Sequence, residues 1–203
     1  MIKFIVGTDT DAGKTYYGKN LAKKGNYVIK PIETGFNSFK DINKSDAYSY
    51  AKILDVDINE INLWFYKIPA SPHLAAKLDK TSVDIDVLCD FILKKYKKHQ
   101  KENENNQKSF YVELAGGLIV PLTREFTQLD LLEKINKIEK VEVDLVVGNK
   151  LGCINHALMT ISILKKAGLD ISHIEINNFG KEPSEIMLDN EKVIRDYYQK
   201  QFK

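Results

Sequence analysis

The chain has 203 residues, of which 43% are hydrophobic and 29% are charged, and its formal net charge is only +2. This balance is ordinary for a globular domain and lacks the basic excess expected of a protein that binds nucleic acid or a membrane surface. Its two cysteines, Cys89 and Cys153, form neither a disulfide framework nor a metal site of the Cys-rich kind. No apolar run reaches the about 20 residues that span a bilayer, and no secretory signal is visible. We therefore expect one cytoplasmic domain over residues 1–203.

Predicted strands and helices alternate along the chain. Apolar, β-branched runs predict strands at 2–6, 27–32, 109–114, 143–148 and 171–177, with a shorter apolar stretch at 63–68. Apolar residues at helical spacing and cap signals predict helices from 14 to about 25 and over 46–54, 74–78, 84–98, 129–138, 154–167 and 182–199. The polar segments 33–44 and 98–109 and the residues 115–117 are predicted as loops. The alternation predicts an α/β fold with a three-layer, doubly wound, mostly parallel sheet.

A glycine-containing loop, GTDTDAGKT at residues 7–15, joins the first predicted strand to the first predicted helix. The usual P-loop has four residues between its first Gly and Gly-Lys-Thr, whereas five residues separate Gly7 from Gly13 here. The strand–loop–helix context nevertheless fits phosphate binding. Gly13 allows close backbone approach, Lys14 can reach phosphates, and the Thr15 hydroxyl suits Mg²⁺. The alternative is a turn that ends in Gly-Lys-Thr by chance.

Two acidic residues and a second lysine are candidates for the chemistry of such a site. Glu113 ends an apolar strand, where a carboxylate is costly unless it meets a cation or donors. Asp46 begins a predicted helix that Ser45 could cap, so Asp46 is either a cap or a favourable charge for the helix dipole, or it is a magnesium ligand. Lys30 ends the second predicted strand, and it is either a surface lysine or a second cation beside phosphate.

Seven sequence blocks carry a family resemblance. In chain order they are GTDTDAGKT (7–15), KPIETG (30–35), SDA (45–47), SPH (71–73), VELAGG (112–117), GNKLGCINHA (148–157) and INN (176–178). Together they resemble the dethiobiotin synthetase family, in which the first block has five intervening residues. KLGCINHA is the most specific block. The resemblance implies a P-loop NTPase-like fold.

The resemblance also implies an activity. It is the ATP- and Mg²⁺-dependent carboxylation of 7,8-diaminopelargonic acid with CO₂, followed by closure of the ureido ring to give dethiobiotin, ADP and phosphate. One amine forms a carbamate, whose oxygen attacks the γ-phosphate to give a carbamic–phosphoric anhydride, and the second amine closes the ring. A homodimer acting on small molecules is implied, with no nucleic-acid or membrane partner.

Site residues follow from the matching blocks. The implied nucleotide-binding residues are Asp11, Ala12, Gly13, Lys14, Thr15, Tyr16, Asp46, Glu113, Leu114, Ala115, Gly116, Asn177 and Asn178. Lys14 and Lys30 are implied as catalytic cations. Thr15, Asp46 and Glu113 are the implied magnesium ligands.

The implied substrate site has two parts. Thr34 contacts the diamine or carbamate end, and Gly152, Cys153, Ile154 and Asn155 receive the carboxylate tail across a dimer interface. A helix N-terminus there would suit a carboxylate. Two alternatives stay open: Asn155 as a helix cap, and Cys153 as a small packed residue. Asn177 is either an adenine-contacting amide or a polar residue in a strand-end turn.

Three departures from the family pattern concern the nucleotide. Leu114 stands where the family usually has Gly, so a Cβ there is expected to restrict the backbone or its approach to the ligand. Asn178 replaces a frequent Asp. The sequence ends at Lys203 without the Pro-containing segment that helps enclose the base in the family, so the resemblance implies the chemistry but leaves base specificity open.

A nucleotide-switch ATPase of the partition or septum-site type is the alternative function. Those proteins carry a signature Lys five positions before the P-loop Lys, where this chain has Asp9. Their membrane-binding members also need a basic amphipathic anchor, which the last predicted helix does not resemble. A glutamine-using amidoligase is a third possibility, but the chain has no room for a glutamine-hydrolysing domain.

Overall fold

Strands and helices alternate through the computed structural model, which describes residues 1–37, 39–103 and 108–202. The described strands are β1 Ile2–Gly7, β2 Tyr27–Ile29, β3 Ile32–Thr34, β4 Trp64–Tyr66, β5 Phe110–Gly117, β6 Val141–Gly148 and β7 Asp170–Asn177. The described α-helices are α1 Lys14–Lys23, α2 Asp46–Leu54, α3 Ile58–Ile61, α4 Pro72–Leu78, α5 Ile85–Glu102, α6 Gln128–Asn136, α7 Cys153–Lys166 and α8 Glu185–Phe202. A 3₁₀ helix, Phe39–Lys44, precedes α2.

Five strands form the central sheet in the order β2-β5-β1-β6-β7, and every pairing in it is parallel. Parallel neighbours require crossover connections, which place helices over the faces of the sheet. The central strand β1 is covered on both faces, because Phe4, Ile5 and Val6 are each 0% exposed. The predicted α/β fold with a mostly parallel, P-loop NTPase-like sheet is confirmed.

The predicted strand over 27–32 is wrong in its extent, because it is two strands in two sheets. β2 belongs to the central sheet, whereas β3 pairs in parallel with β4 in a separate two-stranded sheet. The break falls at Lys30 and Pro31, where proline has no N–H for a central ladder. Lys30 N instead donates to the Ile61 carbonyl at 3.0 Å, and the Pro31 carbonyl accepts from the Trp64 N–H at 3.0 Å.

Three predicted loops were drawn too long. The segment 33–44 contains the end of β3 and the 3₁₀ helix, and α5 continues to Glu102 instead of ending at 98. His99 is buried and its Nε2 contacts the Lys108 carbonyl at 3.1 Å, which anchors this last turn of α5. Residues 104–107 of the predicted loop lie outside the described residues.

The end of β5 was also predicted as a loop. The strand runs through Gly117, which pairs with Gly7 of β1, and its last residues also form hydrogen bonds with the Gln128 side chain. Its Oε1 accepts from Ala115 N at 3.0 Å, and its Nε2 donates to the carbonyls of Ala115 and Gly117 at 2.8 and 2.9 Å. Within the described part of the chain, no helix is both long and apolar enough to cross a membrane.

Candidate active site

A cavity of about 1030 Å³ opens at the carboxyl ends of the central strands, the edge where open α/β sheets bind ligands. Twelve of the predicted site residues line it: Asp11, Gly13, Lys14, Thr15, Tyr16, Lys30, Thr34, Asp46, Glu113, Ala115, Gly116 and Asn177. The remaining predicted residues, Ala12, Leu114, Asn178 and Gly152 to Asn155, do not line it. Most of the predicted nucleotide site is therefore gathered at one place.

The loop between β1 and α1 wraps the start of the helix. Gly13 is the N-cap of α1 with φ of 104°, a conformation that glycine adopts readily, and a Cβ there would collide with the Asn177 amide. Lys14 is only 7% exposed, and its Nζ donates to the Asp9 carbonyl at 3.1 Å. Burial lowers the pKa of Lys14. The loop thus presents a helix N-terminus and a partly desolvated cation to the cavity.

A buried ionic cluster forms the floor of the cavity. The Lys30 Nζ donates to Glu113 Oε1 at 2.8 Å and also contacts Asp46 Oδ2, while Thr15 Oγ1 donates to the same Glu113 oxygen at 2.9 Å. The Glu113 side chain is 0% exposed, and that of Lys30 is 9% exposed. Lys30 is therefore not a surface lysine, and the cation that a buried Glu113 requires is this one.

For Lys30 and Asp46, the charges of neighbouring groups shift the pKa more than burial does. Burial would lower the pKa of Lys30, but Glu113 and Asp46 raise it above its usual value. Burial would raise the pKa of Asp46, yet the Lys30 ammonium and its hydrogen bond hold that pKa below the usual value. Both groups are therefore charged at neutral pH.

The neighbouring residue Ser45 shows whether Asp46 caps α2. Ser45 is the N-cap of α2, and its side chain accepts from Tyr48 N at 3.2 Å. Asp46 is the first residue inside the helix, and its carboxylate faces Lys30. It is therefore not the helix cap, and its oxygens lie beside the predicted phosphate site.

Two residues that the sequence prediction missed organise these acids. Glu33 is 8% exposed and accepts from Ser45 Oγ at 3.0 Å, Asp46 N at 3.1 Å and Ala47 N at 2.8 Å, which fixes the start of α2. Burial raises the pKa of Glu33. Tyr50 donates its hydroxyl to Glu113 Oε2. One sequence signal was available for Tyr50, because it lies four residues after Asp46 on the same helix face.

Asn177 and Asn178 have different environments. Asn177 lines the cavity, donates from Nδ2 to the Ala12 carbonyl at 3.1 Å and accepts from Phe179 N at 2.9 Å. Asn178 instead accepts from Asn149 Nδ2 at 2.8 Å. Asn177 thus joins the end of β7 to the loop between β1 and α1. Its contact with adenine stays a prediction.

Leu114 does not obstruct the cavity. Its side chain is 4% exposed and lies among apolar residues that include Leu88 and Leu131, on the core side of β5. The position that requires glycine is two residues later, because Gly116 has φ of 89° and a Cβ there would lie 3.1 Å from Val120 Cγ2. The restriction expected from a Cβ at position 114 is therefore not seen in this backbone.

The predicted carboxylate site lies apart from the cavity, at the start of α7. Gly152 is the N-cap with φ of 89°, Cys153 is 2% exposed, and Ile154 is half-buried. Asn155 is exposed and lies inside the first turn, so it is not the helix cap. The role of these residues at a dimer interface stays a prediction.

The donors in the floor of the cavity fit a magnesium ion. They are one hydroxyl and two carboxylates, the hard oxygen ligands that Mg²⁺ takes alongside phosphate and water. Thr15 Oγ1 already lies 2.9 Å from Glu113 Oε1, and Lys30 joins Glu113 to Asp46. Among the described residues, no group of three or more His, Cys, Asp or Glu could hold a metal alone. Phosphate oxygens would therefore have to complete the coordination.

Fold and cavity together define an α/β protein of the P-loop NTPase-like class, and a family model described as an AAA domain matches residues 3–200. The chain is 38% identical over 165 residues to the ATP-dependent dethiobiotin synthetase BioD of Legionella pneumophila (strain Corby), a match that covers 80% of this chain and 73% of that protein. It is 32% identical over 198 residues to the BioD of Fusobacterium nucleatum, covering 94% and 84% of the two chains. It is 40% identical over 177 residues to that of Vibrio vulnificus (strain YJ016), covering 83% and 73%. The chain belongs to the dethiobiotin synthetase family.

Proposed function

We propose that this protein is an ATP- and Mg²⁺-dependent dethiobiotin synthase that acts on 7,8-diaminopelargonic acid and CO₂. The observation that carries the proposal is the ionic cluster in the cavity, where Lys30 contacts both Glu113 and Asp46 beside Thr15. These residues lie in the blocks that resemble the family, and its relatives named above are ATP-dependent dethiobiotin synthetases.

The proposed reaction has three balanced steps. One amine of the substrate adds to CO₂ and loses a proton, which gives a carbamate. A carbamate oxygen then attacks the γ-phosphorus of ATP, and the bond to ADP breaks to leave a carbamic–phosphoric anhydride. The second amine attacks the carbonyl carbon and loses a proton to water, and phosphate leaves with the C–O bond electrons as the cyclic urea forms.

Two lysines would serve the phosphoryl transfer. Lys14, at the start of α1, and Lys30, at the break between β2 and β3, both line the cavity. Cations placed before the reaction stabilise the charge that develops on a transferring phosphoryl group without further rearrangement. Thr34 lies in the same cavity and would contact the diamine or carbamate end.

Thr15, Asp46 and Glu113 would hold the magnesium ion together with phosphate oxygens. When bound, Mg²⁺ supplies positive charge that neutralises the phosphates and orients them for in-line transfer. Asp46 and Glu113 also position Lys30, because its ammonium contacts both acids. We propose that Asn177 contacts the adenine and that the protein acts in the cytoplasm.

The substrate's carboxylate tail would bind at residues 152–155 of a second copy, so the proposed enzyme is a homodimer. In support, the first turn of α7 carries a glycine N-cap without a side-chain cap bond. Cys153 N donates to the Lys150 carbonyl at 3.0 Å, and the N–H groups of Ile154 and Asn155 have no partner among the described residues, which leaves them available to an anion. These residues do not line the cavity of their own chain. A tail that reached them would therefore have to cross to a partner.

The nucleotide-switch alternative is disfavoured by the family match and by Asp9. At the position of the switch proteins' signature lysine, this chain has an exposed acid that pairs with Lys150 at 3.4 Å. The side chain at that position therefore has the opposite charge.

The decisive experiment mixes the purified protein with diaminopelargonic acid, bicarbonate, Mg²⁺ and ATP and detects dethiobiotin by mass. We expect product and a matching release of phosphate that depends on the diamine. ATP hydrolysis without product, at the same rate with and without diamine, would contradict the proposal and favour the switch ATPase.

Two substitutions test the assigned site within this assay. Lys14→Ala and Glu113→Ala should each lower the rate of product formation by about a hundredfold or more, because each removes charge complementarity to the phosphoryl group or its metal. The matched controls are the exposed Lys77→Ala and Glu182→Ala, which should keep the wild-type rate. Circular dichroism would verify folding. Full activity of Glu113→Ala at limiting Mg²⁺ would show that the metal assignment is wrong.

A further inference from the structure

The two oxygens of the Glu113 carboxylate have different surroundings. Oε1 accepts from Thr15 Oγ1 at 2.9 Å and from Lys30 Nζ at 2.8 Å, at the floor of the cavity. Oε2 accepts from the hydroxyl of Tyr50, whose ring is 0% exposed in the core. The tyrosine therefore holds one oxygen and leaves the other beside the lysine and threonine.

Close packing against α1 fixes the position of the tyrosine ring. The Tyr50 hydroxyl lies over Gly18, in the middle of α1, where an added Cβ would collide with the hydroxyl oxygen. Glycine is unfavourable inside a helix, so its presence there calls for a local reason. The close approach of Tyr50 supplies that reason, because it is only possible where the helix has no side chain.

We propose that Tyr50 is a positioning residue that orients Glu113, so that Glu113 offers one oxygen, Oε1, to the bound cation. This inference rests on the proposed function, which assigns Glu113 to magnesium. Without the Tyr50 hydroxyl, the carboxylate is held only by Thr15 and Lys30, and both bind Oε1, the oxygen that the cation would share. Its rotation about the last side-chain bond is then less restricted. The expected consequence is weaker cation binding with little change in nucleotide binding in the absence of metal.

The test compares two tyrosine-to-phenylalanine variants. Tyr50→Phe removes the hydroxyl that holds Glu113 and keeps the ring. Tyr17→Phe is the matched control, because its hydroxyl donates to another buried carboxyl, Asp144 Oδ2, at 2.7 Å outside the cavity. Mn²⁺ would serve as the probe, with its binding in the presence of ADP followed by electron paramagnetic resonance. ADP binding without metal would be measured by calorimetry.

Tyr50→Phe should raise the dissociation constant of Mn²⁺ by roughly tenfold to a hundredfold, the value of one hydrogen bond to a charged group. Tyr17→Phe should leave it within twofold of the wild type, although both variants lose a buried hydrogen bond and should melt at lower temperature. Adding Tyr50→Phe to Glu113→Gln should weaken Mn²⁺ binding no further, because the tyrosine acts through Glu113.

Gly18→Ala provides an independent variant that keeps the tyrosine. Alanine favours helix, yet its Cβ would displace the Tyr50 hydroxyl, so weaker Mn²⁺ binding is expected. Unchanged Mn²⁺ binding in both Tyr50→Phe and Gly18→Ala would overturn the positioning role while leaving the proposed function intact. A multiplicative effect in the double variant would overturn it as well. A wild-type protein that binds ADP but no Mn²⁺ would instead overturn the magnesium assignment, and this inference with it.

Discussion

At the residue scale, Lys30 is central to the electrostatics of the cavity because one ammonium serves two carboxylates. Its partners come from different elements: Glu113 lies in β5, and Asp46 begins α2. The Glu113 side chain has no exposure to water, so its charge depends on the lysine and on the hydroxyls of Thr15 and Tyr50. Removing the lysine would leave buried charge without compensation.

We therefore expect Lys30→Met to lower the free energy of unfolding by about 3 kcal/mol at neutral pH, the usual cost of breaking a buried pair. Lys30 holds the pKa of Asp46 below its usual 3.8. The Lys30–Asp46 pair therefore contributes fully to stability above pH 3.8. The contribution is lost as the pH falls through the lower pKa that Asp46 has in the folded state. Urea unfolding at a series of pH values should show the deficit of the variant shrinking towards acid pH. A deficit that grows on acidification would contradict this account.

The sequence allowed the cluster's acids, lysines and threonine to be predicted, but not the residues that hold them. Glu113 follows the apolar start of β5, Lys30 follows β2, and Thr15 lies at the start of α1, positions where motifs and burial arguments apply. Tyr50 and Glu33 act through partners on other elements, since 63 residues separate Tyr50 from Glu113 and 12 separate Glu33 from Ser45. No periodicity specifies such a pairing, because it arises only when α2 packs beside the central sheet.

At the element scale, a side chain from α6 completes the end of β5. Gln128 is 1% exposed and pairs with three backbone groups of Ala115 and Gly117, so it replaces a neighbouring strand. The sequence could not predict this extension, because Ala-Gly-Gly reads as a loop and the supporting amide lies more than ten residues later. For the same reason the division at Pro31 was missed, since a proline marks the end of a strand without specifying a second sheet.

Gln128→Leu should destabilise the protein by about 2 kcal/mol, because it leaves half-buried backbone groups of Ala115 and Gly117 without their side-chain partner. Hydrogen exchange at the Ala115 amide should accelerate, which NMR would detect. The control is Gln199→Leu, at an exposed glutamine on α8, which should change the stability by no more than about 0.5 kcal/mol and leave exchange at Ala115 unchanged. An Ala115 amide as protected in Gln128→Leu as in the wild type would contradict the strand-extension role.

At the scale of the whole molecule, one end of α7 combines the predicted tail site with exposed apolar side chains. Leu151 is 100% exposed immediately before the helix, and Met159 is 53% exposed on the face that also carries Asn155 and His156. An apolar side chain so fully exposed beside a proposed substrate site favours contact with a second copy. The single domain and the homodimer both stay predictions.

Leu151→Asp should therefore weaken self-association and raise the KM for diaminopelargonic acid, with little effect on nucleotide binding. Light scattering coupled to size-exclusion chromatography would give the mass in solution. Lys77→Asp, an exposed change on α4, is the control for added negative charge. An unchanged dimer together with an unchanged KM would argue against a tail site shared between copies at this end of α7.

The position of β1 in the middle of the sheet has a consequence for biosynthesis. This strand is translated before both of its neighbours, which begin at Phe110 and Val141. Asn177, whose amide braces the phosphate loop at Ala12, is translated later still. Non-local pairing of this kind is slow to form, and an apolar strand waiting for its partners is prone to aggregation. The nascent chain must therefore carry β1 without its sheet partners until β5 and β6 have been made, and an apolar strand exposed in this way is a target for chaperones.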